Sequence, residues 1–335
     1  DAGNILKPLL ARGEVHVIQG QIEHAINDYK KATDKAVEET DRNNARFILA
    51  TLYEAFNKPN NAIDEYLKLM DASYNNEKVY INLANIYSKD GLIESSIDTL
   101  NKGRSIIGSS LLMDEELAKF YIRADEPQKA LELTKDELTQ VRCYMDMNDN
   151  EKAYSLMQSL RGKYEKNAKY HSLLAQYYYQ MGDYQNAFNE VDEHAKLEPN
   201  SPVTYQMRAL IYEKQGDKFS AHVNWAKFHY SRGNNDIGMN EYMTAYQIDS
   251  SNIELVTTIA DILDNEDKNH SVEFYEQLLS LNPNSKRALQ KLAEFRVRIG
   301  DYNEALDYMD KLKELDPKNP YVNENYAKIK DKIEN

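Results

Sequence analysis

Two histidines, His222 and His229, flank the only tryptophan, Trp225, at spacings of three and four residues. On a helix these spacings place all three side chains on one face, where two imidazoles could bind a metal ion. A metal site would need a further ligand from another segment, and no residue in the sequence marks one. We interpret the triplet as packing between helices, and the sequence predicts neither a metal site nor a cofactor.

Two short segments partly match loops that bind ions or phosphates. Residues 146–150 begin like a calcium loop, but Glu151 stands where that loop needs glycine and Met157 where it needs the bidentate glutamate. Residues 103–110 have the glycine spacing of a phosphate loop, but they lack its lysine and follow a predicted helix instead of a strand. We interpret both segments as turns between helices.

The remaining reactive groups also give no catalytic pattern. Cys143, the only cysteine, excludes an internal disulfide and is expected to be a buried apolar residue. No metalloprotease motif or serine nucleophile elbow occurs, so we predict that the chain is not an enzyme and has no catalytic residue. The net charge of −14 disfavours a nucleic-acid partner. No stretch approaches the roughly 18 uncharged apolar residues of a membrane-spanning helix.

The segments that carry these residues repeat along the chain. The clearest repeat contains Leu174-Ala175, a Gly182-Asp183 turn and Ala187, and the next contains Ala209, a Gly216-Asp217 turn and Ala221. The marker of the second segment in each repeat falls at Ala25, Ala62, Ser96, Ala130, Ala153, Ala187, Ala221, Gly238, Ser271 and Ala305. Successive differences between these positions are 37, 34, 34, 23, 34, 34, 17, 33 and 34 residues. A period of 34 residues with helical spacing inside it predicts a helical repeat protein.

This pattern resembles the tetratricopeptide repeat, which combines W-x₂-L-G-x₂-Y, A-x₃-F and a proline at the same period. The resemblance implies an all-α fold, an α-α superhelix built as a right-handed solenoid of antiparallel helix pairs. We expect about nine repeats over residues 1–318 and a polar capping helix over residues 319–335.

Two short spacings interrupt the period, near residues 131–152 and 222–237. In the first we expect two clipped helices, over 127–136 and 138–147. In the second we expect one helix over 219–231 that ends one repeat and opens the next, followed by a partner over 235–248. We predict a bend of the array at each step, and either step is a candidate boundary between parts of it.

In tetratricopeptide families the first helix of each repeat lines a concave groove that holds a partner segment. The resemblance therefore implies partner-binding side chains that point away from the core face of the first helices. These are Lys78, Ile81 and Asn85 in an early repeat, Lys169, Ser172, Gln176 and Tyr179 in a middle one, and Val203, Gln206 and Leu210 in the next, with Ser88 and Glu213 at the ends of their helices.

One subtype of this family binds a terminal carboxylate with a Lys/Asn/Arg clamp, and the match to that clamp fails here. Asn82 and Asn85 fit, but Ile81 stands where the first lysine is expected, and the next repeat presents Glu115 and Glu116. We do not predict binding of chaperone tails.

The sequence thus favours a scaffold or adaptor that binds a peptide or helix of a protein partner. Two alternatives stay open: a regulatory or substrate-recruiting region of a larger enzyme, and a part of an envelope or secretion assembly. Residues 1–3 do not include a starting methionine, and no targeting segment is present. Cytoplasm and cell envelope are equally expected, and the sequence does not indicate an oligomeric state.

Overall fold

The computed structural model describes residues 3–266 and 270–334, which form twenty α-helices and no strand. They fall into two compact units, Asp1–Lys163 and Tyr164–Asn335, which we call the N-terminal and C-terminal units. Residues 1, 2 and 267–269 of the predicted array and residue 335 of the predicted cap lie outside the described residues. The predicted all-α fold of paired helices, of the α-α superhelix class, is confirmed.

The N-terminal unit holds the first ten helices. Successive helices pair as α1 with α2, α3 with α4, α5 with α6 and α7 with α8. Their bounds are α1 Gly3–Ile18, α2 Ile22–Lys35, α3 Glu39–Ala55, α4 Pro59–Asp71, α5 Glu77–Lys89, α6 Ile93–Ile107, α7 Leu111–Arg123, α8 Pro127–Leu133, α9 Glu137–Asp146 and α10 Asn150–Tyr164, the last residue of which belongs to the other unit.

The C-terminal unit holds the other ten. Its pairs are α11 with α12, α13 with α14, α16 with α17 and α18 with α19, and α20 packs on α19. Their bounds are α11 Ala168–Gln180, α12 Tyr184–Leu197, α13 Pro202–Gln215, α14 Lys218–Ser231, α15 Asn235–Ile248, α16 Ile253–Glu266, α17 Ser271–Leu281, α18 Lys286–Arg298, α19 Tyr302–Leu315 and α20 Pro320–Glu334.

The turns within these pairs follow from their Gly-Asp dipeptides. Gly182 and Gly216 have φ angles of 76° and 78°, a left-handed conformation that glycine adopts without steric cost. The aspartate that follows caps the next helix: an oxygen of Asp183 accepts a hydrogen bond from the Asn186 amide at 3.1 Å, and Asp217 accepts one from Ser220 at 3.0 Å. The chain therefore reverses within two residues, and the paired helices lie side by side.

Alanine at the marker positions lets the helices of a pair approach closely. Ala175 on α11 and Ala187 on α12 are fully buried in one cluster with Val191. The same cluster includes Met207 and Ile211 of α13, so it joins one helix pair to the next. Each repeat thus completes its core with residues of its neighbour, as expected for a helical repeat array.

Helix α14 packs on both α13 and α15. Two polar contacts fix it: the Trp225 indole donates to Glu213 of α13 at 2.7 Å, and a nitrogen of His222 lies 2.6 Å from a Glu241 carboxylate oxygen on α15. The close contact with α15 also needs a small residue, because a Cβ at Gly238 would lie 2.6 Å from the Tyr230 ring. One helix therefore contributes to two successive pairs.

Helix α8 is shorter than the spacing predicts. It ends at Leu133, three residues before the predicted end at 136. The Glu115 carboxylate of α7 draws the chain out of the helix, because it accepts hydrogen bonds from the Thr134 hydroxyl and the Lys135 amide, both at 2.5 Å. Asp136 then caps α9 by accepting from the Thr139 amide at 2.9 Å.

Candidate functional site

The predicted partner-binding residues of the C-terminal unit lie on α11 and α13. On α11, Lys169 is exposed and Ser172, Gln176 and Tyr179 are half-buried. The Ser172 hydroxyl donates to the Lys169 carbonyl at 2.8 Å, and the Tyr179 ring packs against the core cluster with its centroid 6.0 Å from that of Tyr184. This helix therefore presents polar groups beside a partly buried aromatic ring.

Helix α13 continues this surface. Val203 and Gln206 are exposed, Val203 to 37%, and Leu210 is half-buried against the same cluster as Tyr179. In α11 and α13 an alanine lies 12 residues before the marker of the second helix, as Ala175 precedes Ala187 and Ala209 precedes Ala221. We define the first-helix face by counting from this alanine: it consists of the residues six and three positions before it and one and four positions after it. For Ala175 of α11 and Ala209 of α13, these positions are Lys169, Ser172, Gln176, Tyr179, Val203, Gln206, Leu210 and Glu213.

The three predicted residues of the N-terminal unit have different environments. Lys78 is exposed and Asn85 is half-buried, but Ile81 is only 8% exposed and belongs to the core cluster. Because α5 is covered on several sides by neighbouring helices, the side chain of Ile81 does not point away from the core as predicted. Ser88 is also buried and accepts a hydrogen bond from the Arg123 guanidinium.

Glu115 and Glu116, the acidic pair of the next repeat, both contact other residues of the chain. Glu115 accepts the hydrogen bonds from Thr134 and Lys135 described above, and a Glu116 oxygen lies 2.6 Å from the Lys119 ammonium. Glu115 therefore acts first as a local structural acceptor that ends α8.

A cavity of about 260 Å³ lies where α13, α14, α15 and α16 meet, and we call it the step cavity. Ser220, Asn224 and Lys227 of α14, Tyr242 of α15, and Glu254 and Thr258 of α16 line it together with apolar residues. Tyr242 is only 5% exposed, and its hydroxyl has no hydrogen-bond partner among the residues that the structure describes. Burial, reinforced by the charge of Glu254 and by nearby tyrosines, raises the pKa of Tyr242 to about 12.

The sequence prediction missed the step cavity, although the same spacing could have found it. Ala226 precedes the marker Gly238 by 12 residues, as Ala175 precedes Ala187. Counting from Ala226 as before places Ser220, Val223 and Lys227 on the first-helix face of α14, and counting from Ala260 places Glu254 on that of α16. Helix α14 packs on both α13 and α15, so these positions lie on a helix that belongs to two pairs.

A second, more apolar cavity of about 410 Å³ lies between α18, α19 and α20. Ala293, Val297, Met309 and Ile329 contribute apolar surface, and Glu294, Lys328, Asp331 and Lys332 contribute charges of both signs. The Tyr321 hydroxyl at the same place donates to a Glu294 oxygen at 2.5 Å. Val297, Glu294, Tyr321 and Lys328 also occupy first-helix positions, so both cavities lie along that face.

The residues considered for chemistry have structural roles in the described part of the chain. His222 contacts Glu241, Trp225 contacts Glu213, and no group of three His, Cys, Asp or Glu residues there could hold a metal ion. Cys143 is buried, and burial raises its pKa to about 11. Residues 103–107 belong to α6, which corrects the prediction that the whole segment 103–110 is a turn. No helix of the described residues is long and apolar enough to cross a membrane.

Comparisons with known proteins agree with this helical-repeat class. Residues 271–329 match the model of the tetratricopeptide repeat family, and no curated protein matches the chain. A tetratricopeptide repeat protein from Parabacteroides merdae ATCC 43184 superposes with a TM-score of 0.60 at 15% identity, over 70% of this chain and 99% of that one. The TPR domain of P58(IPK) shares 16% identity over 98% of both chains, with a TM-score of 0.31 that is too low to compare their arrangement.

The first superposition shows the fold alone, because its sequence identity is low. Residues 271–329 belong to the part of the chain that matches the tetratricopeptide repeat family, and the described helices have the fold of tetratricopeptide repeat proteins. Proteins of this fold are typically non-catalytic and bind other proteins.

Proposed function

We propose that this protein is a non-catalytic scaffold that binds a peptide or helix of a protein partner on its first-helix face. The observation that carries the proposal is that the first-helix positions of α11 and α13 combine exposed Val203 and Gln206 with half-buried Ser172, Tyr179 and Leu210, the last two of which pack on one cluster. Amide and hydroxyl groups can both donate to and accept from a peptide backbone, and half-buried apolar side chains supply contact area.

The test is selection of random 12-residue peptides displayed on phage, with the full chain immobilised. We expect the double variant Val203→Ser and Gln206→Ala to lose at least about tenfold in affinity for the selected peptides, since central contacts dominate such interfaces. The matched control is Gln247→Ala with Ile248→Ser, an exposed pair on α15 that lies off the first-helix face. Failure to select any peptide, or equal loss in the control, would contradict the proposal.

A further inference from the structure

The step cavity combines opposite charges that do not neutralise each other. Lys227 on α14 and Glu254 on α16 are its two charged lining residues, and neither forms an ion pair with another described residue. Opposite charges near each other gain little when both are hydrated, but each becomes a strong partner for a complementary group that displaces water.

The polar groups around these charges are already placed. Tyr242 is only 5% exposed, and its hydroxyl can donate a hydrogen bond. Asn224 is 8% exposed, and its amide nitrogen donates to the Ser220 carbonyl at 2.8 Å, so its side-chain oxygen can still accept a hydrogen bond. The Tyr242 hydroxyl and the Asn224 side-chain oxygen can therefore each form a further hydrogen bond with a ligand.

The size of the cavity limits what it can take. At about 260 Å³ it lies just below the range of about 300–1,000 Å³ typical of small-molecule and cofactor sites. A whole helix does not fit, whereas one or two side chains of an extended segment do. Ser220, Val223, Lys227 and Glu254 occupy the same first-helix positions in their helices as the predicted partner-binding residues do in α11 and α13.

We propose that the step cavity recognises an acidic side chain and an adjacent basic side chain of an extended protein segment. The carboxylate accepts hydrogen bonds from the Lys227 ammonium and the Tyr242 hydroxyl, and the basic group pairs with Glu254. The Asn224 side chain orients the segment between them. This inference rests on the proposed function, and it specifies which residues of the partner segment bind in the step cavity.

The experiment is a positional-scanning library of end-blocked peptides, in which one position at a time is fixed as Asp, Glu, Lys, Arg, Asn or Gln. The full chain is compared with Lys227→Met, Glu254→Gln and Tyr242→Phe, and circular dichroism verifies that each variant is folded. Lys218→Met is the matched control, because Lys218 is exposed on the same helix and does not line the cavity.

The wild-type chain is expected to select an acidic residue next to a basic one. Lys227→Met should reduce the preference for an acidic peptide residue about tenfold and leave the preference for a basic one unchanged. Glu254→Gln should reduce the preference for the basic residue and leave that for the acidic one unchanged. Tyr242→Phe should weaken only the preference for the acidic residue. Lys218→Met should change neither. Selection of peptides with no such charge pair, or with preferences that the three variants leave unchanged, overturns the inference while the scaffold function stands. Selection of no peptide overturns both.

Discussion

At the scale of single residues, the repeats depend on small side chains at a few helix contacts. Gly103 lies inside α6, and a Cβ there would come within 2.6 Å of Cγ and 2.9 Å of Cβ of Tyr80. Tyr80 cannot swing away easily, since it is fully buried and its hydroxyl donates to the Tyr74 carbonyl at 3.3 Å. Gly103, the first glycine of the segment that partly matches a phosphate loop, is therefore required by helix packing.

Replacement of Gly103 by alanine should lower the free energy of unfolding by about 1–3 kcal/mol, because the new methyl group overpacks the contact with Tyr80. Urea denaturation measures the change. Gly162→Ala is the control, since Gly162 also lies in a helix but nothing approaches its Cβ within 4 Å. That variant should gain up to about 1 kcal/mol from helix propensity. Equal effects at the two glycines would refute the packing explanation.

The thiol of Cys143 should be protected in the folded protein. Its side chain is buried and its pKa is raised to about 11, so at pH 8 it is almost entirely in the neutral, unreactive form. Labelling with a thiol reagent at pH 8 should be slow in buffer and fast in denaturing urea. Rapid labelling of the native chain would show that the thiol is accessible and reactive.

At the scale of helices, capping and end packing decide where each element begins and what covers it. Asp301 starts α19 by accepting a hydrogen bond from the Glu304 amide at 3.2 Å. Helix α20 covers the last pair with Val322 and Ile329, which are buried in one cluster with Leu289, Met309 and Leu312. Its opposite side carries Asn323, Ala327 and Lys330, which are exposed. One buried and one exposed side are expected of a terminal helix that caps an array, and the capping role of α20 stays a prediction.

Loss of the cap residue Asp301 should cost about 1 kcal/mol, because Asp301→Ala leaves a helix-terminal amide without its acceptor. The measurement is the shift of the urea midpoint. Asp307→Ala is a matched control in the same helix, where the aspartate is exposed and has no capping contact. A shift as large in the control would mean that net charge, and not capping, explains the result.

Truncation of both buried residues of α20 should destabilise the C-terminal unit. The variant Val322→Ala with Ile329→Ala removes methyl groups from the cluster around Met309, and we expect a loss of about 2–5 kcal/mol with increased aggregation. Lys330→Ala on the exposed side should be neutral within about 0.5 kcal/mol. Unchanged melting and solubility of the double variant would show that α20 is not a cap.

At the scale of the whole molecule, tyrosine is the dominant aromatic residue, with 25 copies against 8 phenylalanines. Several of these rings are buried between helices, and burial raises the pKa of Tyr29, Tyr53, Tyr66, Tyr80, Tyr242, Tyr275 and Tyr308. A raised pKa means that the folded state favours the neutral phenol. Stability from these groups is complete below about pH 10 and is lost as the pH rises through their folded-state pKa values.

The protein should therefore unfold progressively more easily between about pH 10 and pH 12. For Tyr242 alone, the free energy of unfolding should fall by up to about 1.4 kcal/mol per pH unit in this window. The reason is that the unfolded state releases a proton that the folded state keeps. Urea denaturation at pH 8, 10 and 11 in wild type and Tyr242→Phe measures it. Phenylalanine cannot ionise, so the variant should lose less stability on going from pH 8 to 11. The same slope in both proteins would contradict the burial of an ionisable hydroxyl at this site.

The sequence predicted the elements well where the local pattern carries the information. The range 235–248 predicted after the short step is the observed α15, and the expected cap at Asp183 is present. The predictions failed where a neighbouring helix decides the outcome. Glu115 of α7 shortens α8, and the helices around α5 bury Ile81, although neither effect is visible in the local spacing.

The residues considered for chemistry at the outset, His222 and Trp225, thus have packing roles that their helix neighbours define. By itself the sequence determined the helix pairs, because small residues, Gly-Asp turns and apolar spacing act within one 34-residue repeat. The tertiary structure decided which side chains of a first helix stay accessible, because that depends on how helices from different repeats meet. The meeting of α13, α14, α15 and α16 forms the step cavity beside Lys227, Tyr242 and Glu254, three residues that lie on three different helices.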